Sequence, residues 1–402
     1  MNADILPFET ALESLLAAAR PPVEAETVDL FDAHGRILAE PVASSIDVPP
    51  HDNSAMDGYA VRCADLVGGG PLRVAQRIAA GSVGQSLAEG TAARIFTGAP
   101  VPPGCDAVVM QERCRVEGDQ VWIEETPRLG QNIRLRGEDI ATGAVILDAG
   151  RRLSAADQGL AASVGIARLA VRRKLRVAVF FTGDELQMPG ETLRPGSIYN
   201  SNRFVLRSLL TALGCEVRDL GIVRDSLAET IAALQSAADE NDAIITCGGV
   251  SVGEEDHVKA AVTAEGRLDV WKIAIKPGKP LAFGRVHGAD FIGLPGNPVS
   301  SFVTFLTLVR PFLLARMGVA DRQWRAQEVV AAFDWPRPDA RREFLRVRID
   351  ASGRAVLYPN QGAGVLSSCA WADGLVDNLP KQVVRAGDTV RYLPFSALES
   401  FA

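Results

Sequence analysis

The chain has 402 residues, of which 47% are hydrophobic, and a formal net charge of −7. That length allows two to four domains, and the apolar content suits true hydrophobic cores. A negative balance argues against a general nucleic-acid binder, so an anionic substrate would need positive charge gathered locally. Four scattered His residues form no H-E-x-x-H motif. The six Cys (63, 105, 114, 215, 247 and 369) form no C-x-x-C and no zinc spacing. They read as buried free thiols in a reducing cytoplasm. The first residues carry acidic groups early, unlike a signal peptide, and no apolar run approaches the ~20 residues of a membrane span. A cytoplasmic protein with no membrane and no nucleic-acid partner is expected.

Pro7 to Arg20 has Ala11, Leu12, Leu15 and Leu16 on one helical face, and Pro21-Pro22 stops it. Thr27 to Pro41 mixes a short strand with a helical turn. The stretch from Asp52 to Ala60, DNSAMDGYA, crowds Asp, Asn and Ser before a glycine, as in a loop that caps its own backbone. Leu72 to Glu125 holds short alternating runs broken by Gly and Pro, an all-β module. Thr97 stands in a turn after the strand Arg94-Ile95-Phe96. Arg134 to Ile140, RLRGEDI, reads most simply as a solvated charged face. Ser154 to Ser163 is a helix between two short strands, expected to share a small domain with residues 23–48.

From Lys174 the pattern changes. Strands at Val177 to Phe181, Glu216 to Leu220 and Ala243 to Thr246 alternate with helices at Asn202 to Leu213 and Leu227 to Ala238. Gly214 is placed as a helix-ending glycine, and Ser226 with Glu229 stands in capping-box register. Further strands follow around Val270 to Ile275, Leu281 to Phe283 and Phe291 to Gly293, then a long helix from Val299 to Arg316. This alternation means a doubly wound, mainly parallel α/β sheet, whose ligands bind at the carboxyl ends of strands. Asp184, Glu185, Asp225, Gly248, Asp256, Lys276 and Pro295 all fall just after strand ends. After Gly318 the chain turns to short strands, a second β domain.

The segment Thr246 to Ser301 carries the densest chemistry. Three apolar runs end in Gly248-Gly249, in Lys276-Pro277-Gly278-Lys279 and in Leu294-Pro295-Gly296-Asn297-Pro298. Free backbone N–H groups, two ammonium groups and nearby carboxylates suit an oxyanion or phosphate substrate with a divalent metal. The segment is not a Walker A loop, since Ile273 and Pro280 stand where that motif needs Gly and Ser or Thr. Taken alone, a glycine turn after a strand reads equally as a plain strand-to-helix connection.

The runs GGVSVGEED (248–256), KPGKP (276–280), GLPGNPVS (293–300) and DNSAMDGYA (52–60) together resemble the molybdopterin molybdotransferase family, which includes the E domain of gephyrin-like proteins. The resemblance spans essentially the whole chain, with the motifs in the family's order. It implies a multidomain α/β protein with four parts. These are a MogA-like α/β catalytic domain (1–22 and 172–324), a small α/β linker domain (23–48 and 141–171), an inserted β domain (49–140) and a C-terminal β-barrel-like domain (325–402). It implies that adenylylated molybdopterin is the substrate, that molybdenum is inserted from molybdate, and that AMP is released. Carried over residue by residue, the catalytic set is Asp52, Thr97, Arg134, Asp139, Glu185, Asp225, Asp256, Lys272, Lys276 and Lys279. Substrate binding falls to Gly248, Gly249, Ser251, Pro295, Pro298, Ser300, Arg346, Ser367 and Ser368. Glu185, Asp225 and Asp256 would hold Mg2+, the implied cofactor. Arg341 and Arg342 match the family less crisply. His51 and Asn200 depart from it, the latter standing where Asp is usual.

The resemblance also implies a homodimer that brings a partner's β module over the cleft. A MogA-type adenylyltransferase and molybdoenzyme acceptors are implied as further partners. Two other readings stay open. A MogA-type molybdopterin adenylyltransferase would lack the DNSAMDGYA module and the C-terminal β domain. A non-catalytic scaffold would tolerate loss of the acidic residues, all of which are kept.

Overall fold

The computed structural model describes residues 5–249, 257–322 and 324–399. Its central element is a six-stranded sheet in the order Glu216–Val223, Arg176–Thr182, Ala243–Cys247, Ala289–Leu294, Pro280–Val286, Gly266–Lys272. The first four strands run parallel, and the last two are added antiparallel. Alternate residues of the strand Arg176–Thr182 serve two separate cores, as period-two geometry requires. Val177, Val179 and Phe181 join helices Phe8–Ala18, Ser201–Ala212 and Pro298–Met317 on one face. Ala178 and Phe180 join Leu227–Glu240 and His257–Glu265 on the other. A sheet clothed on both faces explains why its inner strands are nearly continuous apolar runs, while the edge strands Glu216–Val223 and Gly266–Lys272 carry charges.

The helix from Ser201 ends as its glycine indicates: Gly214 takes a φ of +79°. At Ser226 the expected box is one-sided. Ser226 Oγ accepts the Glu229 N–H at 3.3 Å, while the Glu229 carboxylate turns to Arg224. The reciprocal box occurs instead at Ser154 and Asp157, opening the helix Ala155–Ser163.

The Pro298–Met317 helix corrects the expectation that no run reaches membrane length. It has 20 residues and a mean hydropathy of 1.5, but 94% of that apolar window is buried inside the protein. It also widens into a π turn at Phe305–Val309. Pro311 supplies the cause, because its ring crowds the carbonyl four residues earlier and offers no N–H to it.

Residues 25–29 pair antiparallel with 168–172, and 42–43 with 145–147, forming a small unit around Leu38, Leu153 and Val171. A second six-stranded sheet lies within 58–123. The C-terminal strands Arg342–Ile349, Arg354–Leu357, Gln327–Ala331, Thr389–Pro394 and Gly374–Asn378 close on themselves into a five-stranded barrel. Closure removes the exposed edges of an open sheet. One short strand, Ile275–Lys276, leaves the α/β sheet to pair with the barrel at Arg342 and Glu343. All six cysteines are free thiols.

Candidate functional site

Strand register fixes which loops meet. Phe181 is level with Cys247, Cys247 with Leu294, and Thr182 with Val223. The loops that follow therefore emerge at one edge: Gly183 to Glu185, Arg224-Asp225, Gly248-Gly249 and Pro295-Gly296. The antiparallel pair ends there too, since Lys272 faces Pro280. The sequence placed these residues after strand ends, and the fold draws them to one side of the sheet.

A cleft of about 570 Å³ opens at this edge. Gly248, Gly249, Lys276, Lys279, Pro295 and Ser300 line it, facing Arg341 and Gln361 to Ala363 from the barrel. Gly249 is required for its backbone, with φ at +62° and a would-be Cβ only 2.5 Å from Val258 Cγ2. Gly296 packs beside Gly248, where an added Cβ would make an ordinary contact at 3.9 Å from the Gly248 Cα. Asn202 Nδ2 donates to the Gly296 carbonyl at 2.8 Å and so fixes that loop. Pro298 occupies the first turn of its helix, where a missing N–H costs nothing, and Ser300 follows, 3% exposed. The next N–H in that turn, from Val299, donates to Ala363 O at 3.0 Å, joining the helix to the barrel loop.

The cations differ in how much of their charge is already spent. Lys276 Nζ lies 3.1 Å from Glu343 Oε1 and 3.5 Å from Asp339 Oδ2. Arg341 grips Asp339 with Nε and NH2 at 3.0 and 2.9 Å. These hydrogen bonds from Arg341, with the charge of Lys276 nearby, hold the Asp339 carboxyl well below the usual range. Lys279 is exposed and has no ion pair among the described residues. Arg342 does not face the cleft. Its Nε and NH2 pair with Asp377 at 2.6 and 2.7 Å, and its NH1 reaches Glu9, so it fastens the first helix to the barrel. Arg346 is 1% exposed, and its NH2 points to the cleft-lining Gly362 carbonyl at 3.5 Å. Ser368 Oγ receives Arg346 Nε, while Ser367 Oγ meets the Tyr358 hydroxyl at 3.1 Å.

Other expected residues lie apart from this cleft. Lys272 is half-buried at the same edge but does not line it. Glu185 is exposed and Asp225 half-buried, at the ends of neighbouring strands, and neither has an ion pair among the described residues. Ser251 and Asp256 lie outside the described residues. Among the described residues, no three His, Cys, Asp or Glu side chains are gathered to hold a metal.

The β insert forms its own cleft of about 380 Å³, lined by Val48, Pro49, Asn53, Gly98, Arg134, Glu138 and Asp139. Its loop does cap itself. Ser54 Oγ donates to Met56 O at 2.6 Å, and Asp52 accepts the Arg136 N–H at 2.8 Å. Asp57 accepts both the N–H and the hydroxyl of Thr97, at 2.8 and 2.9 Å, and these bonds lower its pKa. The Thr97 hydroxyl is thus spent on Asp57. Within one chain these residues do not share the lysine-lined cleft.

Sequence reasoning missed Asp339, Glu343 and the loop Gln361 to Ala363. They lie far along the chain in runs with no motif; Gln361 to Ala363 line the cleft, while Asp339 and Glu343 stand behind it on Lys276.

Comparison with known proteins matches this arrangement from end to end. Residues 6–165 match the MoeA N-terminal region (domain I and II), 178–315 a probable molybdopterin binding domain, and 328–395 the MoeA C-terminal region (domain IV). A molybdopterin molybdenumtransferase from Haemophilus influenzae is 41% identical over 404 residues, covering 98% of this chain and 100% of its own length. Molybdopterin molybdenumtransferase 2 from Mycobacterium tuberculosis is 38% identical, covering 94% and 95%. A crystal structure of a molybdopterin biosynthesis MoeA protein from Pyrococcus horikoshii OT3 aligns with a TM-score of 0.85 at 28% identity, covering 97% of this chain and 100% of its own. The match includes the N-terminal and C-terminal regions, which a MogA-type adenylyltransferase would lack. The chain belongs to the molybdopterin molybdenumtransferase (MoeA) family.

Proposed function

We propose that this chain inserts molybdenum from molybdate into adenylylated molybdopterin, releasing AMP and giving the molybdenum cofactor. The single observation that carries this reading is the strand-end cleft. It gathers the glycine turn, two lysines and Ser300 against a barrel wall that holds Arg341 and, behind Gly362, Arg346. Molybdate is a dianion, and Lys279, Lys276 and the Ser300 hydroxyl offer it charge-assisted hydrogen bonds. Gly248 and Gly249 let a phosphate approach the backbone closely, as side chains there would not.

Glu185 and Asp225, joined by Asp256, are the proposed carboxylate ligands of Mg2+. They are hard oxygen donors of the kind that ion keeps alongside water. Among the described residues no ion pair engages Glu185 or Asp225, which leaves their oxygens open toward such an ion. Once bound, Mg2+ would neutralise charge on the phosphate oxygens of the adenylate. The β-insert residues Asp52, Arg134 and Asp139 would reach the substrate from a second copy of the chain, in a homodimer. A cytoplasmic location and hand-over to molybdoenzymes complete the proposal.

The test is to incubate the purified chain with adenylylated molybdopterin, molybdate and Mg2+ and to follow AMP. Release that depends on both molybdate and the divalent ion is expected. Full-rate release in EDTA without molybdate, or none under any condition, would sink the reading.

A further inference from the structure

Lys276 is held from behind by the barrel. The strand Ile275–Lys276 lies parallel to the barrel strand, with Lys276 level with Glu343. Glu343 is completely buried. A carboxylate away from water is kept only where donors fill its lone pairs, and here the two oxygens divide that task. Oε2 accepts from Trp335 Nε1 at 2.7 Å, from the Asp339 N–H at 3.1 Å and from Asn378 Nδ2 at 3.4 Å. Oε1 is turned the other way and meets Lys276 Nζ at 3.1 Å. One oxygen is thus anchored in the barrel, and the other holds the lysine that lines the cleft.

A lysine is a point charge on a flexible stem, and its rotamers scatter unless something holds the head. The Lys276 side chain is 40% exposed, so packing alone does not fix it. Asp339 adds a longer contact, but both its oxygens are engaged by Arg341. Glu343 does not line the cleft itself.

We infer that Glu343 is a positioning residue of this site: acting through Lys276, it fixes an ammonium group at the wall of the cleft where the tetrahedral oxyanion is received. The inference rests on the proposed reading of the cleft as the place where molybdate binds. It predicts that removing the Glu343 charge damages oxyanion recognition through Lys276 and by no other route.

The experiment compares full-length wild type with Glu343→Gln, Lys276→Met and the double variant, in AMP release titrated with molybdate. Glu343→Gln is expected to raise the apparent KM for molybdate about tenfold or more with kcat little changed, the effect of a misplaced binding group. In the Lys276→Met background the same change should add nothing, since interacting residues are not additive. Should Glu343→Gln fold poorly, Glu343→Asp keeps the charge but shortens the reach, and an intermediate KM is expected. An unchanged KM in the Glu343 variants, with Lys276→Met impaired, would overturn the positioning role alone. A double variant whose defect is the product of the single defects would do the same. An unchanged KM in Lys276→Met would instead overturn the placing of molybdate at this cleft, and the inference with it.

Discussion

Arg346 is walled into the barrel and donates through Nε to the Oγ of Ser368 at 3.2 Å, a buried cation resting on a neutral hydroxyl. Its other contacts are the carbonyls of Phe344 and Gly362, and no carboxylate pairs with it among the described residues. Burial pushes its pKa down to about 10. Ser368 in turn donates to Val365 O at 2.7 Å, which orients its lone pair toward Arg346. A buried charge without a counter-ion is a poor device for stability. The cleft-side Gly362 places this one behind a site proposed for a dianion.

Arg346→Met is therefore expected to keep the fold, with stability changed by less than about 2 kcal/mol, because lost hydrogen bonds are offset by easier burial. AMP release should fall at least about tenfold, equivalent to ~1.4 kcal/mol in the barrier. Thermal melting and the assay on one sample decide the matter. A large melting loss with full activity would make Arg346 a structural residue only.

The α/β half of this molecule was legible because each strand announces itself twice. An apolar run such as Ala243 to Thr246 stops at a glycine pair, and Leu281 to Phe283 is preceded by Pro280. The edge where Gly248, Lys276 and Pro295 meet follows from topology once the strands are assigned. The barrel was less readable. Arg341, Arg342 and Glu343 form a charged run that looks solvated, yet Arg342 and Glu343 are buried, with partners remote in sequence at Asp377, Glu9 and Asn378. No periodicity encodes such pairings. The π turn at Phe305–Val309 was also hidden, since Pro311 signals disturbance but not its form. The separation of Arg134 and Lys279 into two clefts depends on how the parts are joined.

Acid should unfold the protein through its paired carboxylates. Asp339 is depressed chiefly by hydrogen bonds from Arg341, and Asp47 is held at about 2 chiefly by the Thr142 N–H, with help from Arg136. A depressed folded pKa contributes stability above the unfolded value of about 3.9, and that stability is lost as pH falls through the folded value. The melting temperature should be nearly flat between about pH 5 and 8 and fall steeply below about pH 4. Asp339→Asn should make that fall shallower. A variant with the same acid slope as wild type would show that the pair with Arg341 adds nothing to it.

Gly249→Ala tests the turn without touching a charge. The new methyl would have to form at a φ of +62° and 2.5 Å from Val258 Cγ2. Val258 sits in the core beneath the sheet and has little room to give. A loss of about 1–3 kcal/mol is expected from strain and crowding, with AMP release reduced in proportion to the displaced turn. Urea denaturation measures the first and the assay the second. Wild-type stability would mean that the helix at His257 shifts freely.

The last prediction concerns the two clefts. Arg134 lines one and Lys279 the other, and a single chain does not unite them. If two chains build each site, with the β insert of one over the lysines of the other, Arg134→Ala and Lys279→Ala should each be nearly inactive alone. Mixed and allowed to exchange subunits, they form heterodimers in which one site carries both substitutions and the other carries neither. Random pairing makes about half the dimers mixed, with one of two sites intact, so activity should return to about a quarter of wild type. If each chain works alone, no exchange can place an intact Arg134 beside an intact Lys279. Activity would then stay at the level of the separate variants. Light scattering on the same samples tells whether exchange partners exist at all. A monomer with full wild-type activity at the same concentration would exclude the composite site. Recovery to about a quarter, appearing only after exchange, would require that Arg134 and Lys279 act on one substrate from different chains.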